Sequence, residues 1–311
     1  MIGMKYDLEE VLQASIMSSV PTVLVEGLDD IALYDKIVNK FKNMAEIVAI
    51  ETIEGFDKGC RGVIAAAEII DGIQSDTYSP SNYMLGVIDR DVREYRGEMP
   101  ESKCLLILRL YSIESHFVNI EVIDHILKTF TKGTLTMFNQ ELKESILRDC
   151  IRNMELVYLA SLEALRGSLD SCYSADFSYK KSFGSLKNKN LSDKIFDKKT
   201  DLLDFASNLS VNYDLESLKK ICKGKVLLDF FSEELAKSLK KLPDECGVGA
   251  VQHCSMCASG IDNSCMYNLV NGFSSKQIPE TSKQVYYSEE LSYIKERVEL
   301  LSTNINRQRV A

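Results

Sequence analysis

Apolar residues follow two rhythms along this chain, and the change from one to the other divides it. In the first third, short runs rich in Val, Ile and Leu alternate with longer stretches whose apolar positions recur at helical spacing. The runs "TVLVE", "AEIVAI", "YMLGVID" and "CLLILRL" predict strands at 22–26, 45–50, 83–89 and 104–110. The stretches before and between them predict helices at 8–19, 29–42 and 58–73. Continuous apolar strands separated by helices make βαβ units, so the expected class is α/β, with a mainly parallel, Rossmann-like sheet flanked by helices.

After about residue 118 the strand rhythm gives way to long helical periods: "EVIDHILKTF", "FNQELKESILRDCIRNMELVYLASLEALRG", "LDFFSEELAKSLKKL" and "SEELSYIKERVELLSTNINRQ". The expected organisation is an α/β domain over 1–118 and a mostly helical domain over 119–311, with no internal repeat.

Composition narrows the class. The chain has 311 residues, 45% of them hydrophobic and 27% charged, enough for a sizeable core. No apolar run approaches the roughly 18 residues of a membrane helix, and the start "MIGMKYDLEEVLQ" is too acidic for a secretory signal, so a cytoplasmic protein is expected. Of nine cysteines, Cys60, Cys104, Cys150, Cys172 and Cys222 are scattered through helix-like or strand-like segments, as reduced core thiols are.

A net charge of −9 argues against indiscriminate nucleic-acid coating and leaves room for a local basic face. The stretch "SYKKSFGSLKNKNLSDKIFDKK", Ser178 to Lys199, is dense in lysine, with only Asp193 and Asp197 against it. It is either a solvated loop or a contact for RNA or DNA, with Lys187, Lys189 and Lys194 as candidate substrate-binding residues.

The candidate chemistry lies at strand ends, where α/β sheets bind ligands. The first strand ends on Glu26, followed by Gly27, Asp29 and Asp30; the third ends on Asp89 and Asp91. In extended chain Asp89 and Asp91 point to one side and can share a divalent ion, with Arg90 facing away. Gly27 allows a tight turn or a close backbone approach. Asp30 is either a further ligand or a residue stabilising a helix N-terminus. Crowded carboxylates repel one another, which a bound Mg²⁺ would offset. Hard oxygen ligands with open positions suit Mg²⁺ engaged with a phosphodiester, Glu26 being a ligand or a general acid/base.

"VLVEGLDD" followed by "VIDRD", with "ETIEGFDKGCRGVIAAAEII" between them, resembles the TOPRIM domain of topoisomerases, bacterial primases and OLD-type nucleases over roughly residues 20–117. "LILRLYSIESHFVN" further resembles the TOPRIM nucleases that accompany an ABC-type ATPase in bacterial defence islands. That resemblance implies a Mg²⁺-dependent nuclease effector of anti-phage defence, held by a partner ATPase, active as a homodimer and cleaving RNA, expected to be host tRNA. It implies Glu114 as a fourth acidic ligand. The stretch "CKGKVLLDFF" resembles a "GK-x-L-L" element of those proteins, which implies Lys225 as a phosphate contact. His116, two residues from Glu114, either touches a phosphate or ion or is structural.

A second constellation, "CGVGAVQHCSMCASGIDNSC", places Cys246, Cys254, Cys257 and Cys265 around a Cys-x₂-Cys centre. It is either a structural Zn²⁺ site or a loop of four reduced cysteines. The chain has no G-x-x-x-x-G-K-[ST], H-E-x-x-H or G-x-S-x-G. A DNA-directed TOPRIM nuclease, a non-catalytic nucleic-acid or partner-binding module, and a primase- or topoisomerase-type enzyme remain as alternatives.

Overall fold

A computed structural model describes residues 5–40 and 42–310. Its contacts divide the chain into two compact units, Met1–Arg109 with Tyr286–Ala311, and Leu110–Val285. The first unit carries β1 (Thr22–Val25), β2 (Glu46–Ala49), β3 (Met84–Ile88) and β4 (Leu105–Ile107), interleaved with helices α1 (Leu8–Ser18), α2 (Leu28–Asn39) and α3 (Cys60–Gly72). Position 41 of the helix expected over 29–42 lies outside the described residues.

The sheet is parallel throughout, in the order β2-β1-β3-β4. Every residue of β1 and β3 is buried, as central strands covered on both faces require, while the edge strands β2 and β4 are only partly so. Register pairs Leu24 with Gly86 and Gly86 with Leu105. Gly86 is a packing glycine: a Cβ there would meet Val63 Cγ1 at 2.5 Å and Leu105 Cδ2 at 2.9 Å, so α3 lies against β3 only because that side chain is missing. The core around it includes Leu24, Ile50, Val63, Ile70, Met84 and Ile88.

The C-terminal helix, Ser292–Val310, belongs to this unit and not to the helical half in which the sequence reading placed it. Ile305 enters the core of the sheet. Arg297 donates to the Lys103 carbonyl at 2.8 Å, and Asn304 to Asn82 Oδ1 at 3.2 Å. A helical period shows which face is apolar but not which partner buries it. The expected boundary at 118/119 falls instead between Arg109 and Leu110.

The second unit is helical, built from Ile120–Phe130, Gln140–Arg152, Glu155–Leu169, Lys189–Asp197, Lys199–Asn208, Leu215–Ile221 and the long Gly224–Gly247. The stretch read as one helical period from 138 breaks at Asn153 and Met154, where the Asn153 side chain donates to Glu234 Oε2 at 2.7 Å. Helix Glu155–Leu169 is the most enclosed, with Leu159, Leu162 and Leu165 fully buried. Its Glu163 is buried too, and is matched by the Tyr173 hydroxyl, the Asp176 N–H and the Lys198 ammonium, as a buried charge must be. Among the described residues no helix is long and apolar enough to cross a membrane.

Candidate functional site

Strand order creates the first site. From β1 the chain moves outward to β2, then crosses back to build β3 and β4 on the other side of β1. The direction of winding therefore reverses between β1 and β3, and ligands of open α/β sheets bind beyond the strand ends at such a point. Glu26 follows β1 and Asp89 follows β3, one on each side of it.

Glu26 and Asp89 are joined there: Glu26 Oε1 accepts from the Asp89 N–H at 2.9 Å. Burial raises the Glu26 carboxyl above its ordinary value, the Asp89 N–H opposes this, and the charges of Asp91 and Asp30 push it further up. Asp30 lies in the first turn of α2, so helix-end stabilisation and proximity to Glu26 hold together. Gly27 is extended, with φ −162°, and needs no glycine-only conformation.

Asp91 departs from the expected geometry. It takes a left-handed φ of 49° at the start of the turn Asp91–Val92 that follows β3, so the backbone is not extended at Asp91 itself. The turn leads into a one-turn helix, Arg93–Arg96, and Arg93 pairs with Asp91 at 3.5 Å. Arg90 instead pairs with Glu94.

Sequence reasoning passed over several neighbours of this site. Arg93 Nη2 donates to Cys60 Sγ at 2.8 Å, and its Nε is buried with no hydrogen-bond partner. Burial and the Glu26 charge raise the Cys60 thiol. Tyr34, buried on α2, is held well above the usual phenol range by burial, then by Asp89, Tyr293, Asp30 and Glu26. The Tyr293 hydroxyl accepts from the Arg109 N–H at 3.1 Å, and burial raises it as well. Nothing in the sequence singled out Arg93; the fold sets it against Cys60 and Asp91.

The implied Mg²⁺ suits this donor set chemically, because Glu26 is raised by burial and by two neighbouring carboxylates whose repulsion a divalent cation relieves.

Glu114 and Lys225 belong to the second unit. Glu114 lies in a 3₁₀ turn, Ile113–Phe117, accepts from Ser112 Oγ at 2.6 Å and stands 4.0 Å from Lys225 Nζ. Lys225 is presented by the N-terminus of helix Gly224–Gly247. Gly224 permits this close approach: a Cβ there would meet Ser112 Oγ at 2.0 Å and Ser115 Oγ at 3.1 Å. His116 is buried, its Nδ1 3.1 Å from the Ser112 carbonyl, which is a structural placement.

In the lysine-rich segment, Lys187 pairs with Glu233, and Lys194 with Asp176 at 3.6 Å. Lys189 is exposed at the first residue of its helix, where the dipole disfavours a cation and favours an anion.

The four cysteines come together. The sulfurs of Cys246, Cys254, Cys257 and Cys265 all lie within 4.8 Å of one another, and all four residues are buried. Main-chain N–H groups point at them: Cys254 N to Cys246 Sγ at 3.2 Å, and Cys257 N and Met266 N to Cys254 Sγ, each at 3.4 Å. Burial opposes charge on Cys254, but those two N–H groups and the neighbouring thiols bring it down to about 6. Cys254 and Cys265 sulfurs are 3.9 Å apart. That is far beyond a disulfide bond of about 2.05 Å. It matches the roughly 3.8 Å edge of a tetrahedron with metal–sulfur bonds of about 2.3 Å. The segment is pinned by Lys132 N to the Met266 carbonyl at 3.0 Å and by the Tyr267 hydroxyl to the Met137 carbonyl at 3.3 Å. This buried cluster could bind a metal such as zinc.

Compared with models of protein families and with curated proteins, the chain matches none.

Proposed function

We propose that this chain is a Mg²⁺-dependent TOPRIM nuclease, an RNA-cleaving effector of bacterial anti-phage defence working in the cytoplasm. The observation that carries the reading is the Glu26–Asp89 contact at the reversal point of a parallel sheet, with Asp91 and Asp30 close enough to raise Glu26. Glu26, Asp89 and Asp91 would hold the ion, with Asp30 beside them. Bound there, Mg²⁺ supplies Lewis-acid polarisation of a phosphodiester and activation of water. Arg93, paired with Asp91 at 3.5 Å, would steady that carboxylate beside the ion. The TOPRIM resemblance gives Glu114 the role of a further acidic ligand and Lys225 that of a phosphate contact; within their own unit they form an ion pair.

The likeness of the whole chain to AriB, effector of the PARIS anti-phage system, extends the proposal to a partner. An ABC-type ATPase holds the nuclease inactive and releases it on sensing a phage protein; the released chain forms a homodimer and cleaves host tRNA. The cysteine cluster holds one Zn²⁺ as a structural ion, since four thiolates fill a tetrahedral site and leave no open position.

Sequencing RNA from cells that express the chain, alone and with its ATPase, tests this reading. New tRNA ends are expected from the free or released chain and not from Glu26→Gln. Intact RNA in every case overturns it.

A further inference from the structure

The C-terminal helix, Ser292–Val310, is tied to the chain on both sides of β4. Before the strand, the Lys103 carbonyl accepts from Arg297. After it, the Arg109 N–H donates to the Tyr293 hydroxyl, and the Arg109 guanidinium lies over the Tyr293 ring, 4.3 Å from its centre. Tyr293 is buried, so the core fixes this platform, while Arg109 is exposed. A stacked guanidinium uses its face against the ring and keeps its N–H edge, and much of its rotamer freedom is gone before any ligand arrives.

That arginine stands next to the carboxylates. The ladder pairs Ile88 with Ile107, and the Leu108 N–H donates to the Ile88 carbonyl at 3.0 Å. Asp89 and Arg109 therefore leave the carboxyl ends of two neighbouring strands, which run about 4.8 Å apart. Tyr293 senses both residues: burial raises its phenol, the Arg109 N–H and charge oppose this, and the Asp89 charge adds to it. The arginines that follow β3 are committed to acids, Arg90 to Glu94, Arg93 to Asp91 and Arg96 to Glu98. Arg109 differs, because among the described residues no acid pairs with it and no acceptor takes its side-chain N–H groups.

We propose that Arg109 is a substrate contact of the carboxylate site, gripping a phosphate that flanks the one to be cut, and that Tyr293 is the positioning residue that holds it there. N–H groups in a rigid planar fork match two phosphate oxygens at once, which an ammonium on a flexible stem does not. A cluster of carboxylates repels a polyanion, and a pre-set cation at its rim offsets that repulsion. The inference rests on the nuclease reading for the identity of the polymer, and it gives the C-terminal helix a part in holding the substrate.

The test combines fluorescence anisotropy on labelled total tRNA, with Ca²⁺ replacing Mg²⁺ and the RNA checked to be intact, at several salt concentrations, and cleavage kinetics in Mg²⁺. Arg109→Gln should weaken binding at least roughly tenfold and flatten the salt slope by about 0.7 to 0.9, the loss of one phosphate contact. In cleavage it should raise KM by a similar factor and leave kcat within about twofold, because a flanking phosphate is held equally in ground and transition states. Arg109→Lys should keep the slope and recover only part of the affinity. Tyr293→Phe keeps the ring and should bind as the parent does. Tyr293→Leu removes the ring and should lose affinity at the parental slope with kcat kept, a split that a general loosening of the fold would not give. A parental melting temperature confirms that Arg109→Gln folds, and Arg109→Gln decides alone should Tyr293→Leu fail to fold. Parental affinity, slope and KM in Arg109→Gln would overturn the contact while leaving the nuclease reading intact. A parent that neither binds nor cuts tRNA would overturn both.

Discussion

Glu26 accepts a hydrogen bond from the main-chain N–H of Asp89, so two strand ends 63 residues apart are fastened to each other through a carboxylate. Burial and the Asp91 and Asp30 charges make that carboxylate reluctant to ionise. The consequence for stability has a definite sign. Below the ordinary glutamate value of 4.5, the group is protonated in both folded and unfolded chains and contributes no difference. As pH rises, the unfolded chain ionises first, so native stability falls until the folded group ionises too. Glu26→Gln should therefore melt as the parent does in acid and above it at neutral pH, with the gap opening just above pH 4.5. Mg²⁺ should raise the parent's melting temperature and leave the variant's unchanged. A variant less stable than the parent at neutral pH would contradict this electrostatic picture.

The cysteine cluster predicts about one zinc per chain in protein purified without a histidine tag. Chelation should lower the melting temperature, and Cys254→Ser should lose the metal, because structural zinc contributes directly to folding free energy. Elemental analysis decides it. Stoichiometry near zero, with chelation-insensitive melting, would leave four reduced thiols.

Gly224 and Lys225 should separate structure from chemistry. Gly224→Ala pushes a methyl into Ser112 Oγ and should cost roughly 1–3 kcal/mol in urea unfolding, as overpacking does. Lys225→Gln removes an exposed ammonium from a loose 4.0 Å pair and should leave stability within about 0.5 kcal/mol. If it contacts a phosphate, cleavage should fall all the same. Unchanged cleavage by Lys225→Gln would make the lysine an ordinary solvated residue.

The lysine-rich segment divides by its partners. Lys187→Gln removes the partner of Glu233, Lys194→Gln leaves Asp176 paired with Lys198 at 2.7 Å, and both should change the salt dependence of nucleic-acid binding little. Lys189→Gln removes a cation already at odds with its helix dipole and should lower the slope by about 0.7 if it meets a single-strand phosphate. Equal effects from all three would show that the pairs open on binding.

The sheet was legible because β1 and β3 are buried on both faces, which writes continuous apolar runs into the sequence, and because each run ends on a carboxylate. Helical spacing likewise showed that Ser292–Val310 is a helix, but not that Ile305 packs against a sheet formed nearly two hundred positions earlier. Asp-x-Asp reads as extended by default, and nothing local in "DRDVRE" announces the left-handed Asp91 that turns Arg93 inward. Cys60 looked like a plain core thiol and Tyr34 carried no signal, since their importance comes from which carboxylates the fold sets beside them. The cysteines were legible as a spacing; that their sulfurs meet, with N–H groups aimed at them, required the fold.

The central claim is that the carboxylates at the β1 and β3 ends cut RNA with Mg²⁺, and purified chain incubated with total tRNA tests it most directly. With Mg²⁺ the parent should yield discrete fragments, and chelation with EDTA should abolish them. Glu26→Gln and Asp89→Asn, both folded by melting, should cut at least about 100-fold more slowly, the scale of losing an acid–base or metal-holding group. Fragments produced equally by the parent and both variants would contradict the account.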